Sequence, residues 1–164
     1  MESWPEPVER VAAVLRERAV DACLEEFGEG TPTAAAAARA VGCELSQIVK
    51  SLVFMCDGVA VLALVSGDRR ADPAKVAAAA GAAAARVATP EEVLAATGFE
   101  PGAVAPFPVE RVGRVLVDEE LLRQEMVWIG AGSSRHLAGL APRDLVRLAK
   151  AAPADLTEEG RTAG

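Results

Sequence analysis

The chain of 164 residues is poor in the side chains on which metal-dependent and triad-type hydrolases depend. His136 is the only histidine, so a histidine-based zinc site or a Ser-His-Asp triad would have to be built around that residue. The three cysteines, Cys23, Cys43 and Cys56, are widely spaced and include no Cys-x-x-Cys pair. This pattern predicts buried free thiols rather than a disulfide framework or a zinc site. We therefore expect neither a bound metal nor a cofactor.

Long apolar runs are also missing. Although 51% of the residues are hydrophobic, no uncharged apolar run approaches the ~18 residues that a membrane-spanning helix needs. The acidic start, Met-Glu-Ser-Trp-Pro-Glu, lacks the basic and apolar regions of a signal peptide. The sequence thus predicts a cytoplasmic protein without membrane contact. Its length fits one domain, residues 1–164, with a substantial core.

Basic charge is scarce. The net charge of −7 argues against broad, nonspecific binding of DNA or RNA through counterion release. Residues 1–30 hold eight acids and three arginines, a net charge of −5, which leaves −2 for the rest of the chain. A local basic face is therefore possible, and its candidate members are Arg69, Arg70, Lys75, Arg86 and Arg135. Such a face would suit a protein that grips only the end of a nucleic acid.

Apolar periodicity and turn residues predict an α+β protein with a mixed sheet flanked by helices. Asp57-Gly58 joins two apolar runs and predicts a tight hairpin, and Asp118 is predicted to cap a short helix. Helices are expected at 8–18, from the N-cap Thr33 to Val41, at 72–80, from Pro90 and at 142–150, and strands at 51–57, 59–66, 114–118, 126–130 and 136–140. Residues 99–113 are predicted to be irregular, and the tail from Pro153 to Gly164 is expected to fray.

One polar residue stands out at the start of an apolar strand. In Ile48–Phe54, Lys50 precedes Ser51 and three apolar residues. A lysine there either extends its aliphatic stem to solvent or faces an anion. The residue alone does not decide between these interpretations.

Other motifs follow in a fixed order. They are Ala71–Ala77, Ala96–Pro106, Val117–Glu119, Val127–Ser133 and Leu140–Leu145. In this order and at these spacings, the sequence resembles the YbaK/prolyl-tRNA synthetase editing-domain family, from about Thr31 to Leu148. The resemblance implies that family's largely antiparallel sheet flanked by helices. It also implies a trans-acting aminoacyl-tRNA deacylase, with the acceptor end of an aminoacyl-tRNA as its substrate and an aminoacyl-tRNA synthetase as a further candidate partner.

The resemblance also implies a site. Lys50 would be catalytic by holding the terminal phosphate or an ester oxygen of the substrate, while backbone amides of the Gly102–Pro106 loop would hold the ester. The implied substrate-binding residues are Ser51, Thr33, Gly102, Ala103, Pro106, Gly130, Gly132 and Ser133. The resemblance does not require His136, which we interpret as structural or exposed.

Both glycine segments also have simpler interpretations. Gly98–Pro106 could be an ordinary proline-rich connector. The Gly130-x-Gly132-Ser133 segment lacks the third glycine and downstream acid of a dinucleotide-binding fingerprint. It is either a plain strand-ending turn or, as the resemblance implies, a turn that admits the terminal adenosine.

The chain departs from the family pattern in the loop. Relatives often carry Gly-Gly-x-Ser-Pro where this chain has Gly102-Ala103-Val104-Ala105-Pro106. The more apolar loop favours a small uncharged amino acid such as alanine, cysteine or serine, carried by tRNA-Pro or a similar tRNA, and Ala105 is expected to influence the choice. The alternative is a noncatalytic module that keeps the pocket for a nucleotide, an adenylate-like ligand or a partner protein.

Overall fold

The computed structural model describes residues 4–28, 30, 33–109 and 111–158. The helices are α1 (Glu6–Glu17), α2 (Ala34–Val41), α3 (Pro73–Ala80), α4 (Pro90–Thr97) and α5 (Pro142–Ala149). The strands are β1 (Cys23–Glu26), β2 (Val49–Cys56), β3 (Val59–Ser66), β4 (Ala85–Val87), β5 (Arg114–Asp118), β6 (Val127–Gly130), β7 (His136–Leu140) and β8 (Ala152–Ala154).

The strands form two sheets rather than one. A five-stranded sheet has the order β4-β2-β3-β5-β8, and a three-stranded sheet has the order β1-β7-β6. Pairing is antiparallel in β4-β2-β3 and throughout the small sheet, and parallel between β3 and β5 and between β5 and β8. A single parallel bridge between Ile48 and Trp128 connects the two sheets. The predicted α+β class, with largely antiparallel sheets flanked by helices, is confirmed.

Local sequence signals place most of these elements correctly. Asp57 and Gly58 both have positive φ, 51° and 84°, as the two-residue hairpin between β2 and β3 requires. Thr33 caps α2 by accepting a hydrogen bond from the Ala36 amide at 3.1 Å, and Asp72 caps α3 in the same way through Ala74. Residue type alone therefore predicted several elements. These are the helix starts at Thr33, Asp72 and Pro90 and the strands β3, β5 and β7.

The two faces of the five-stranded sheet bury different sets of side chains. Along β2, Val49 and Val53 belong to the main core, whereas Phe54 and Cys56 pack on the opposite face with Val76 of α3. The main core also contains Phe99, Ala105 and Phe107 from the irregular segment between α4 and β5. That segment is therefore anchored against the sheet, which matters for the site below.

The prediction of a frayed tail is wrong for residues 153–158. Strand β8 pairs with β5, and Leu156 beyond it is fully buried. Asp118 holds the segment in place because its Oδ1 accepts a 2.8 Å hydrogen bond from the Leu156 amide, while its Oδ2 caps the following 3-10 turn as predicted. Residues 159–164 of the predicted tail lie outside the described residues.

The state of the cysteines differs in part from the prediction. All three cysteines are free; Cys56 is buried, whereas Cys23 is exposed, so the prediction of buried thiols is wrong for Cys23. Among the described residues, no helix is both long and apolar enough to cross a membrane. The same part of the chain contains no group of three His, Cys, Asp or Glu side chains placed to hold a metal ion.

Candidate active site

Lys50 is the second residue of β2 and pairs with Val65 of β3. Its Nζ donates a 2.5 Å hydrogen bond to the carbonyl oxygen of Arg69. Partial burial lowers the pKa of the Lys50 ammonium, the positive charge of Arg70 lowers it further, and the carboxylate of Asp68 opposes both effects. The structure thus gives Lys50 a fixed, partly desolvated ammonium rather than a freely solvated one.

The turn that accepts this hydrogen bond follows β3 directly. The Arg69 amide donates to the Ser66 carbonyl at 3.1 Å, and the Gly67 amide donates to the Ile48 carbonyl at 2.8 Å. A Cβ on Gly67 would lie 2.7 Å from the carbonyl oxygen of Leu45, so no larger residue fits there. The turn is therefore held to β2 on one side and pressed against the 3-10 turn around Leu45 on the other.

The side chain of Ser51, the next residue, lies on the other face of the sheet. Successive side chains of a strand alternate between faces, and Ser51 lies on the face of Val53, opposite Lys50. There it lines an open cavity of about 170 Å³ with largely apolar walls. The other wall residues are Leu52, Val53, Phe54, Val87, Ala88, Val93, Pro101, Gly102 and Val104. Lys50 does not line this cavity, and the Oγ of Ser51 is shielded from solvent without a hydrogen-bond partner in the described structure.

The cavity lies beside a gap in strand pairing. On this edge, β2 pairs with β4 only from Phe54 to Cys56, with one further hydrogen bond from the Ala88 amide to the Val53 carbonyl. Just before β2 begins, Ile48 forms a single bridge to Trp128 of β6, the one strand pairing with β6 along this edge among the described residues. Within the described chain, the segment between these contacts has no strand partner on that edge, and Ser51 lies at its centre.

The loop after α4 closes the cavity on one side. A turn from Glu100 to Ala103 is closed by a 2.9 Å hydrogen bond between the Ala103 amide and the Glu100 carbonyl. Gly102 in this turn has φ +84°, although a Cβ there would meet no atom within 4 Å. Backbone conformation, not crowding, therefore requires glycine at this position. Pro106 and Ala105 are buried behind the loop, Ala105 completely.

The two predicted glycine segments meet at one point. A Cβ on Gly130 would lie 3.2 Å from the carbonyl oxygen of Val104, so the end of β6 contacts the loop. Gly132 serves a different purpose: its φ is +98° and a Cβ would lie 2.7 Å from the carbonyl oxygen of Pro7, at the start of α1. Gly130 therefore borders the site, whereas Gly132 permits helix α1 to pack closely.

Ser133 and Thr33 lie in other local structures. The Oγ of Ser133 is 2.6 Å from Nδ1 of His136 and accepts a 2.9 Å hydrogen bond from the Arg135 amide. His136 is only 2% exposed, packs edge-on against Trp4 with ring centroids 5.4 Å apart, and has Nε2 3.4 Å from a Glu26 carboxylate oxygen. Burial lowers its pKa, and Glu26 opposes that shift. The cluster holds the β6–β7 turn, and Thr33 is the cap of α2.

Three of the five candidates for the predicted basic face make contacts with other groups of the protein. Arg86 makes a two-pronged contact with Glu92 at 2.7 and 2.8 Å, which lowers the pKa of that carboxyl to about 2. Lys75 pairs with Asp155 at 2.9 Å. Arg135 donates to the carbonyl groups of Phe27 and Gly28. Arg70 remains near Lys50, whereas the Arg69 side chain lines another cavity with Asp118 and Asp155.

The structure places some of the predicted site residues around one cavity and adds others to its wall. Ser51 and Gly102 line the cavity, Ala103 and Pro106 flank it in the loop, and Gly130 touches the loop. Val87, Ala88 and Val93 were not predicted, because β4 is only three residues long and its sequence carries no clear strand pattern.

Comparisons with known proteins show which family the chain belongs to. Residues 28–148 match the family model of the aminoacyl-tRNA editing domain. A solved structure of a proposed trans-editing enzyme for prolyl-tRNA synthetase superposes with a TM-score of 0.86 at 40% identity, covering 95% of this chain and 99% of that one.

Two curated relatives are also similar. The uncharacterized protein YwhH of Bacillus subtilis is 36% identical over 123 residues, which span 74% of this chain and 78% of YwhH. A proline–tRNA ligase of Nitratidesulfovibrio vulgaris is 41% identical over 81 residues, which span 49% of this chain and only 14% of the ligase. The chain belongs to the aminoacyl-tRNA editing domain family and is an aminoacyl-tRNA deacylase.

Proposed function

We propose that this protein acts in trans on the acceptor end of tRNA-Pro, or a similar tRNA, that carries a small wrong amino acid such as alanine, cysteine or serine. The observation that carries the proposal is the cavity of about 170 Å³ beside Ser51. Its walls are mainly the aliphatic side chains of Val53, Val87, Val93 and Val104, with one hydroxyl among them. Apolar walls of this kind select by size and accept a short uncharged side chain.

The gap in strand pairing supports this placement of the amino acid. Backbone groups of β2 next to Ser51 and of the turn at Gly102 lie where an ester group entering the cavity would pass. Backbone amides held in a rigid strand and turn stabilise a developing oxyanion because they need no reorganisation during the reaction. Gly102 keeps that wall free of a side chain.

Lys50 takes a different role in this proposal. Since Lys50 and Ser51 face opposite sides of the sheet, the ammonium binds the terminal phosphate of the tRNA, and the ester lies towards Ser51. Arg70 adds positive charge near Lys50. Anchoring the phosphate fixes the distance from the terminal ribose to the cavity, which is a positioning effect.

The reaction itself is a simple ester hydrolysis. A water oxygen attacks the carbonyl carbon, the bond from that carbon to the ribose oxygen breaks, and the ribose oxygen receives a proton. As the family resemblance implies, the neighbouring ribose hydroxyl or the bound water handles the proton. This fits a cavity in which Ser51 is the only hydroxyl and no carboxylate lines the wall among the described residues.

The experiment compares the purified protein with its Lys50→Ala variant on tRNA-Pro charged with alanine, cysteine, serine or proline. We expect release of one or more of the three small wrong residues, little release of proline, and a loss of ~10²–10³ in rate for the variant. Lys150→Asn is the matched control, because it removes an exposed lysine whose positive φ of 53° asparagine tolerates.

Three outcomes would contradict the proposal. Failure to release any of the three would reject the substrate, and full activity of the Lys50 variant would reject the role of that residue. Binding of tRNA without release of amino acid would instead support the noncatalytic module. Adding prolyl-tRNA synthetase to the assay tests it as a partner, and we expect it to raise the rate by presenting mischarged tRNA.

A further inference from the structure

We propose that the cavity between α1, the end of α4 and the segment before β5 binds a nucleotide unit of RNA, with its phosphate held between Arg10 and Arg111. An RNA ligand presupposes the proposed function, but the roles proposed there for Lys50 and Ser51 are not needed. The site can therefore stand or fail independently of the cavity at Ser51.

The wall of this cavity carries two positive charges. Its volume is about 380 Å³, against about 170 Å³ for the cavity at Ser51. Arg10 of α1 and Arg111 both line it, and among the described residues no acidic side chain does so. Guanidinium groups donate paired hydrogen bonds that match the oxygens of a phosphate. The charge and the space therefore favour an anion that carries a sizeable group.

Arg10 is held in place without a ligand. Its Nη2 donates a 2.8 Å hydrogen bond to the carbonyl oxygen of Gly98, and its guanidinium carbon lies 4.7 Å from the centre of the Phe99 ring. Its Nε lies 3.1 Å from a carboxylate oxygen of Glu6. A Cβ on Gly98 would lie 2.9 Å from Nη1, so glycine leaves room for the guanidinium. In the described part of the chain Nη1 has no hydrogen-bond partner, so a positioned donor remains for a phosphate.

Arg111 and Leu94 supply the other features that a nucleotide needs. Arg111 is exposed and makes no ion pair or hydrogen bond with another described residue, so binding a phosphate breaks no contact of its side chain. Leu94 is 44% exposed and offers an apolar surface to a ribose or base. The last turn of α4 has carbonyl groups without intrahelical partners, which suit a ribose hydroxyl. The Arg10–Gly98 hydrogen bond offsets the negative end of that helix.

The site is a neighbour of the cavity at Ser51. Val93 of α4 lines that cavity and the next residue, Leu94, lines this one. The segment after α4 also borders both, through Gly102 on one side and Gly98 and Pro108 on the other. One RNA strand can therefore reach both cavities, with its aminoacyl end at Ser51.

The direct test is the binding of uncharged tRNA to Arg111→Gln over a range of salt concentrations. We expect affinity to fall by about fivefold, and the slope of log affinity against log salt to fall by about one, as loss of one phosphate contact does. In deacylation the same variant should raise KM and leave kcat nearly unchanged, because the contact is the same in the ground state and the transition state. A folded Arg111→Gln protein with unchanged affinity and salt slope would overturn the proposal.

Two further variants separate a binding role from a structural one. Arg143→Gln is the matched control, since it removes an equal charge from an exposed arginine of α5 outside this cavity, and tRNA affinity should not change. Glu6→Gln should tighten tRNA binding, because it removes the carboxylate that competes for Arg10. An Arg10 that only caps α4 would give no tightening, and that result would remove Arg10 from the site.

AMP and inorganic phosphate identify the ligand. Competition of AMP with tRNA in the wild type, weakened in both Arg111→Gln and Leu94→Ala, would show that a free nucleotide also enters. If AMP does not compete but both variants weaken tRNA binding, the ligand is an RNA strand. Both results support a nucleotide site. Competition by inorganic phosphate that equals that of AMP and is unaffected by Leu94→Ala would overturn the nucleotide as ligand.

Lys50→Ala separates this site from the proposed function. If Arg111→Gln weakens tRNA binding but Lys50→Ala remains active, the nucleotide site stands and the proposed role of Lys50 fails. If Lys50→Ala is inactive but Arg111→Gln changes neither tRNA binding nor KM, the proposed function stands and the nucleotide site fails.

Discussion

Lys50 and Ser51 are neighbours in β2, yet the ammonium of Lys50 binds the turn after β3 while Ser51 lines a cavity on the other face of the sheet. Strand alternation alone causes this separation. A deacylase that uses both residues must therefore hold its substrate at two places, across the start of one strand. The predictions below test the cavity face and the structural cluster beside it.

Ser51→Ala tests whether the cavity hydroxyl contacts substrate. Because the Oγ has no partner in the described structure, its removal should leave the free energy of unfolding nearly unchanged. Deacylation should fall by about tenfold, the loss expected for one hydrogen bond of ~1.4 kcal/mol. Ser133→Ala is the contrasting control: it removes the 2.6 Å contact with His136 and should cost about 1 kcal/mol of stability with little effect on rate. Equal rates for wild type and Ser51→Ala would remove Ser51 from the site.

Gly102→Val tests the turn that borders the cavity. Its φ of +84° makes any side chain there strained by roughly 1–2 kcal/mol, and relief of the strain would move the loop. We expect deacylation to fall much more than stability. Gly81→Val introduces similar strain at φ +71° at the exposed end of α3, again with no atom within 4 Å of the new Cβ. Should both variants lose activity in proportion to stability, the loop would have no special role.

Ala105→Ser separates the sequence prediction from the structure. The sequence suggested that a serine here would alter substrate preference, but Ala105 is fully buried in the main core and does not line the cavity. A buried hydroxyl without a partner should cost ~1–3 kcal/mol of stability and leave the ratio of alanyl-, cysteinyl- and seryl-tRNA rates unchanged. Val104→Ala, which enlarges the cavity itself, should change that ratio. A ratio altered only by Ala105→Ser would show that the loop adopts another arrangement with substrate.

His136 should give the protein a simple pH dependence of stability. Burial lowers its pKa in the folded state, so the unfolded chain binds the proton more readily. Stability is then fully present above the unfolded pKa of ~6.5 and is lost as pH falls below it. Since this is the only histidine, denaturant unfolding between about pH 7 and pH 5 should report it nearly alone. In His136→Gln that slope should flatten; a slope that persists would assign it to another group.

The local elements were decided by the sequence. Asp57-Gly58 could form only a turn with positive φ, and Thr33, Asp72 and Thr89 could each cap a helix without help from distant residues. Lys50 stood out as a charged residue at the start of an apolar strand, but its neighbours alone left open whether it faces solvent or an anion. These conclusions depend only on neighbours in the chain.

The tertiary structure decided which of these residues lie close together. Thr33 caps α2, Gly132 lets α1 pack closely, and Ser133 holds the β6–β7 turn. The pattern of residues along the chain does not distinguish these structural roles from substrate binding. The short strands β4 and β8 exist because β2 and β5 offer them edges. Register and close packing arise between distant segments, so the cavity wall, the Lys50–Arg69 contact and the buried Ala105 became visible only in the folded chain.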